Sequence, residues 1–404
     1  MIEEHGIIIT QAATNLGPCF FSTYLTLSNV SELLDQIFII GSVFTEEMKK
    51  KIPFHESKNY PSLYNLSSKG PLQISGARGI DFVAPGAAIT DFPKWFSNKN
   101  RISGGTSSAT PNAAGTIACL LSALKANGIP YSPSMIKFAL ANTAFLPKNA
   151  NKLEFGNGII QIFDAFEFIK KFVNYFSQKP IVPRFLDEPN QRGIIFVKNE
   201  KNLSKDYLIN IDLEVDKNWI LKCAESGKNF IQHSKTFKNN SFNVKIDTNL
   251  LEEGSINYAE IYGIDYSNLS FGPLFYVPIT VICPAAANFF IDKIITIKPG
   301  SPIHFFIKTP PSKLEYCSIG ITPFGYKPKM SCFPYSPLTC ECRQNMGTRW
   351  IKKNFIFNFF ENKIVENMRL KENCEKYFEI CFYHYESVSL SFKMEINFLQ
   401  AFYK

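Results

Sequence analysis

The stretch Gly104-Gly105-Thr106-Ser107-Ser108-Ala109-Thr110-Pro111 constrains this chain more than any other. Paired glycines open a backbone path that side chains block elsewhere. The small residues that follow, through about Asn127, predict a helix whose first turn carries Ser107. At a helix start the N–H groups lack intrahelical acceptors and the dipole is positive, so a hydroxyl there sits where developing negative charge is stabilised. Taken alone, the octet reads equally well as an ordinary N-cap with its first turn. Ala109, Ala113, Ala114, Gly115 and Ala118 predict a helix buried on all sides, passing close to neighbouring backbone.

The segments around it build an α/β layer. Residues 6–13 form a continuous β-branched run that predicts a central strand of a parallel sheet, ending in the polar turn at 14–18. That turn lies at the carboxyl end of its strand, where open α/β sheets place their sites. Strands are expected at 36–43 and 81–86, with loop from 48 to 71, helices at 107–127, 134–142 and 162–173, and a turn at 155–160. Residues 178–191 are proline-rich and read as a linker. Period-two alternation then takes over, at 207–215, 242–247, 291–306 and 387–398, which predicts half-buried antiparallel strands in sandwiches. The expected division is an α/β domain at 1–176, a linker at 177–191, a β-sandwich at 192–286 and a second β-rich domain at 287–404.

Composition narrows the function classes. The net charge of +8 is spread thinly and forms no basic stripe interleaved with aromatics, so a nucleic-acid partner is not expected. Cys119, Cys283 and Cys381 lie in apolar segments and are expected as free thiols packed like small hydrophobes. Cys340-Glu341-Cys342 is too tightly spaced for a zinc knuckle, and neither a metal nor a cofactor is expected. No run reaches the ~18 apolar residues of a membrane span, and Met1-Ile2-Glu3-Glu4-His5 carries no leader pattern, so a cytoplasmic, non-membrane protein is expected.

Gly105-Thr106-Ser107-Ser108-Ala109-Thr110-Pro111 resembles the Gly-Thr-Ser-x-Ala-x-Pro serine motif of the subtilisin-like serine peptidases. Ala12-Ala13-Thr14-Asn15-Leu16-Gly17 is similar to the family's Ala-Ala-Gly-Asn-x-Gly segment. Leu66-Ser67-Ser68-Lys69-Gly70-Pro71 and Asp81-Phe82-Val83-Ala84-Pro85-Gly86 resemble two further landmarks of it. The segments at 111–113, 121–127, 139–144 and 272–280 look like the tripeptidyl-peptidase II branch, whose members remove tripeptides from free N-termini. The resemblance implies Ser107 as nucleophile, Asn15 as oxyanion donor, and Ala13, Thr14 and Gly17 along the substrate pocket, with Thr14 standing where relatives have glycine. It implies the serine half of a subtilisin-like parallel-sheet domain followed by two β-sandwich-like domains, peptide substrates, and a homo-oligomer in the complete protein.

The same resemblance implies an aspartate and a histidine upstream of the asparagine, in the order Asp, His, Asn, Ser. None of His5, His55, His233, His304 and His384 stands in a His-Gly-Thr-His setting, and the triad aspartate and histidine are not found in this sequence. The chain is therefore expected to be a fragment, such as a gene product begun at an internal methionine, and inactive alone. The competing expectation is a non-catalytic scaffold that acts through protein–protein assembly, which would not need Ser107 and Asn15. A carbohydrate- or peptide-binding sandwich is a third reading, without an aromatic platform to support it.

Overall fold

A computed structural model describes residues 5–23, 36–51, 61–90, 101–177, 181–185, 188, 190–199, 202–211, 219–234, 240–286, 288, 293–298, 301–308, 316–324, 338–345, 350–357, 364–369, 377–383 and 389–399. The first layer contains β1 (Ile9–Ala12), β2 (Ile37–Phe44), α1 (Glu46–Lys51), β3 (Ser62–Leu63) and β4 (Phe82–Pro85). A two-stranded ribbon follows, β5 (Ala87–Thr90) with β6 (Arg101–Gly104), and then the helices α2 (Thr106–Ala126), α3 (Pro133–Thr143), α4 (Lys152–Phe155) and α5 (Ile162–Phe172).

β1 and β4 both run parallel to β2, and β3 pairs antiparallel at its end. Every residue of β2 is buried. Its alternation sends Phe38 and Ile40 into a core shared with α2, α3 and α5, while Ile37, Ile39 and Val43 pack on the opposite face with Leu72, Ile80 and Phe155. A strand covered on both faces reads as an unbroken apolar run, which is why its sequence carries no alternation.

Two expectations are corrected here. β1 is shorter than the apolar run at 6–13 and, among the described residues, is an edge strand paired only with β2, its four residues half-buried. An apolar run reports side-chain burial and says nothing of whether both hydrogen-bonding edges are paired. α2 is not buried on all sides. Ala109, Ala113, Ile117, Leu120 and Leu124 form one buried stripe, while Pro111, Ala114, Gly115, Ala118, Cys119 and Ser122 are exposed. Small residues leave both options open, since they bury little area whichever way they face. Cys119 thus sits on the open face, whereas Cys283 and Cys381 are buried as expected.

Segment 183–185, expected as linker, forms β7 (Pro183–Phe185) and pairs with β9 (Ser204–Ile211). Phe185 drops into the sandwich core, a tertiary contact that outweighs the prolines around it. β8 (Ile194–Val197), β10 (Trp219–Cys223), β11 (Ile231–His233), β12 (Ser241–Asp247), β13 (Ser255–Asp265) and β14 (Pro273–Cys283) complete two four-stranded sheets, ordered β10-β13-β14-β8 and β11-β12-β9-β7. Phe242, Val244 and Ile246 meet Ile261, Val277 and Ile279 between them. The third layer holds β15 (Ile294–Ile297), β16 (Ile303–Lys308), β17 (Tyr316–Pro323), β18 (Leu338–Asn345), β19 (Trp350–Phe357), β20 (Ile364–Arg369), β21 (Tyr377–Tyr383) and β22 (Leu390–Leu399). Its sheets run β15-β22-β17-β20 and β16-β21-β18-β19. Cys340 and Cys342 lie on β18, and their side chains are outside the described residues.

The first two layers are joined by a buried ionic network. Glu260 on β13 accepts from Arg78 Nη1 at 3.0 Å, from Lys152 Nζ at 2.8 Å and from the Tyr258 hydroxyl at 2.6 Å. Arg78 also stacks over the Tyr276 ring at 4.4 Å and donates through Nε to the Ile80 carbonyl at 2.9 Å. Burial alone would raise the Glu260 carboxyl; the Arg78 and Lys152 charges outweigh it and hold it at about 2.

Candidate active site

Ser107 is the second residue of α2 and is exposed. As a first-turn residue it has an N–H with no carbonyl one turn earlier in the helix to bond. The residue before the helix, Gly105, has φ 133°, a conformation that a side chain makes costly. A Cβ added there would also stand 3.0 Å from Asn15 Nδ2 and 3.2 Å from its Oδ1. Glycine is therefore required twice over, for the backbone path and for the asparagine beside it.

Gly105 cannot cap the helix with a side chain, and Asn15 does so from another element. Its Oδ1 accepts from Thr106 N–H at 2.9 Å and from Thr106 Oγ1 at 3.0 Å. With the carbonyl end of the carboxamide committed to the helix, Nδ2 remains as the donor. A free amide donor and an exposed first-turn N–H thus sit at one helix terminus with an exposed serine hydroxyl. Such a group can bind an oxygen that gains negative charge beside an attacking hydroxyl.

The loop that presents Asn15 is held by the serine pair at 67–68, both fully buried. Ser68 Oγ accepts from Leu16 N–H at 3.0 Å and lies 2.8 Å from Thr14 Oγ1, while Ser68 N–H donates to the Thr14 carbonyl at 3.0 Å. Ser67 Oγ accepts from Ser42 N–H at 3.1 Å. Thr14 has φ 78°, which is rare for a β-branched residue. The contacts with Ser68 on either side of it hold that strained geometry next to Asn15. A sequence reading takes the two serines only as landmarks. Buried together, the two adjacent hydroxyls must find internal partners, and they find them in backbone N–H groups.

Of the pocket residues expected from sequence, Ala13 is fully buried in the core and Gly17 packs against the Ser67 carbonyl, so close that a Cβ would collide with it. Neither offers a side chain to an open surface. Thr14 is half-buried and Asn15 exposed. Among the described residues no histidine hydrogen-bonds Ser107. His5 is exposed, His233 Nδ1 lies 2.7 Å from the Ser234 carbonyl oxygen, and His304 is half-buried against Glu379. His55 and His384 are outside the described residues. No cluster of His, Cys, Asp or Glu among the described residues could hold a metal ion, and no described helix is long and apolar enough to cross a membrane.

Comparisons place this geometry among known proteins. Residues 1–158 match the subtilase family, and residues 194–282 match the first Ig-like domain of tripeptidyl-peptidase II. Tripeptidyl-peptidase 2 of Arabidopsis thaliana is 34% identical over 309 residues, which is 70% of this chain and 22% of that protein. Tripeptidyl-peptidase 2 of Caenorhabditis elegans is 29% identical over 340 residues, 77% of this chain and 24% of the relative. The chain thus spans under a quarter of the length of these relatives. A crystal structure of tripeptidyl peptidase 2 superimposes with TM-score 0.74 at 20% identity, covering 97% of this chain and 32% of that one.

Proposed function

Starting from a chain that belongs to the subtilisin-like family through its tripeptidyl-peptidase II branch, we propose that it carries the serine half of an exopeptidase site. In this reading Ser107 Oγ attacks the carbonyl carbon of the third residue of a peptide with a free N-terminus; the C–N bond breaks, the rest of the peptide leaves as an amine that takes up the proton from the base, and the tripeptide stays on Ser107 as an ester until water releases it. The carbonyl oxygen moves toward Asn15 Nδ2 and Ser107 N–H as it gains charge, and the acyl-serine is then cleaved by water. The proton of Ser107 passes to the histidine base of the complete site, which none of the five histidines of this sequence is expected to supply. The observation that carries the reading is the pair of bonds from Thr106 to Asn15 Oδ1, which fix the carboxamide beside the serine's helix terminus and leave Nδ2 as its donor. The domain division at 176, 191 and 286, a homo-oligomeric assembly and a cytoplasmic setting go with this proposal.

A fluorophosphonate probe tests it, since only a serine with a working base is phosphonylated. Protein isolated from its own cells is expected to be labelled at Ser107 and to release tripeptides from free-amino but not acetylated peptides. Absence of both label and release from the native protein would favour the scaffold reading.

Asn15→Ala is expected to lower kcat by roughly 10²- to 10³-fold, the effect of deleting this donor in subtilisin itself. It also removes the cap on α2, a stability loss of about 1 kcal/mol. Asn15→Asp retains an acceptor for Thr106 and so keeps the cap, but replaces the donor with an anion. Its kcat should fall at least as far while its melting temperature stays closer to wild type. Equal kcat in Asn15→Asp and wild type would remove Asn15 from the site.

A further inference from the structure

β21 is buried on both faces. Phe378, Ile380 and Phe382 enter the core of the third layer, while Tyr377, Glu379 and Cys381 face the first layer. On the neighbouring strand β16, His304 is the ladder partner of Cys381, and its Nδ1 lies 3.0 Å from Glu379 Oε1. The loop beyond Asn15 closes over this face. Phe20 N–H donates to Glu379 Oε1 at 2.8 Å and the Phe20 ring lies 4.6 Å from the His304 ring, which seats the adjacent Cys19 over the face of β21 that carries Cys381. Lys69 Nζ completes the cluster, 3.3 Å from His304 Nε2 and 2.5 Å from Glu154 Oε1. Two fully buried cysteines, borne by different layers, therefore flank one contact beside a histidine and a lysine.

We propose that Cys19 and Cys381 are a reversible redox pair, whose disulfide ties the loop carrying Asn15 covalently to the third layer. The oxidant is a peroxide, small enough to reach a closed interface. Cys381 sulfur attacks one oxygen of hydrogen peroxide; an S–O bond forms, the O–O bond breaks, and the leaving hydroxide takes the thiol proton as water. Cys19 sulfur then displaces the hydroxyl of the sulfenic acid, which leaves as a second water, and the S–S bond forms. Two thiols lose two electrons and two protons, and the peroxide is reduced to two waters.

The surroundings select Cys381 as the attacking sulfur. Burial alone pushes Cys317 up to about 12 and Cys283 to about 11, and both stay protonated. At Cys381 burial acts in the same direction, yet its polar neighbours, Cys19 and His304 among them, outweigh it and bring the thiol below its ordinary value. Cys19 lies four positions beyond Asn15 in the same loop, so closure bears directly on the proposed oxyanion donor. The exposed Cys119 supplies an internal reference for non-selective oxidation.

The test treats the reduced full chain with graded hydrogen peroxide, blocks remaining thiols under denaturing conditions, and maps unreduced digests by mass spectrometry. A peptide pair joined through Cys19 and Cys381, two hydrogens lighter than the free peptides and abolished by dithiothreitol, is expected before Cys119 is fully oxidised. Cys381→Ser should eliminate the pair while Cys119 oxidation continues. The unmutated chain decides the matter should that variant fail to fold. Recovery of Cys19 and Cys381 as free thiols at doses that exhaust Cys119 would overturn the proposal. So would Cys381 recovered as sulfinic or sulfonic acid without a linked partner.

Discussion

Ser107→Ala is expected to lower tripeptide release by about 10⁶-fold in kcat, the loss seen when the nucleophile of a subtilisin-like site is removed. The side chain is exposed and serves no internal hydrogen bond among the described residues, so the fold should be indifferent to its loss. Melting temperature is expected to stay within about 1 °C of wild type, because exposed substitutions away from caps and cores seldom exceed ~0.5 kcal/mol. KM should move little, since the hydroxyl acts in the transition state and contributes little to holding the substrate. The outcome that would defeat the assignment is retained release with loss of fluorophosphonate label, which would make another residue the nucleophile. Gly105→Ala forms a useful companion. It leaves Ser107 in place but drives a Cβ against the Asn15 carboxamide, so it should lose activity at least as Asn15→Ala does.

Glu260→Gln should produce the largest loss of stability. Glu260 is 1% exposed and bonded to two cations, Arg78 and Lys152, of which Arg78 is itself 2% exposed. Removing the carboxylate leaves a buried guanidinium without its counter-charge, a change that costs about 3–5 kcal/mol when one partner of a buried pair is lost. The pH dependence gives an independent signature. The carboxyl falls from 4.5 in the unfolded chain to about 2 in the fold, a difference on the order of 3 kcal/mol. Because the folded value is the lower one, this contribution is complete above pH 4.5 and disappears as pH falls through about 2. Urea midpoints at pH 7, 4 and 2.5 should therefore drop steeply for wild type in the acid range. For Glu260→Gln they should start lower and fall less. Parallel acid slopes for the two proteins would show that the network does not hold the layers together.

Much of this molecule is readable without coordinates because the signals are local. Gly105 followed by Thr106 and Ser107 marks a helix start from three consecutive residues, and Ser132 before Pro133 marks another, its Oγ accepting from Met135 N–H as expected. The period-two run at 242–247 appears as β12 with strict alternation of burial. What could not be read is where faces meet. Asn15 caps a helix 91 positions away, and Glu260 is paired with Arg78 across 182 positions and with Lys152 across 108. No propensity, period or motif carries information over such separations. The partial burial of β1 and the open face of α2 escaped the reading for the same reason, since apolar or small residues look alike whether or not a neighbour covers them.

The amino-acid order by itself carried the motifs that resemble the family, the helix start at Ser107, and the change from α/β to β-rich architecture. The last two reside in short-range chemistry: glycine's permitted dihedrals, helix-start donors, and the alternation of a half-buried strand. Only the tertiary structure decided that Asn15 caps the helix that carries Ser107, that Thr14 is held at positive φ beside Ser68, and that Glu260 and Cys381 become buried partners of the first layer. Those outcomes depend on which surfaces pack together, and in a close-packed interior that is decided by the shape and charge of whole layers, beyond the reach of any one segment.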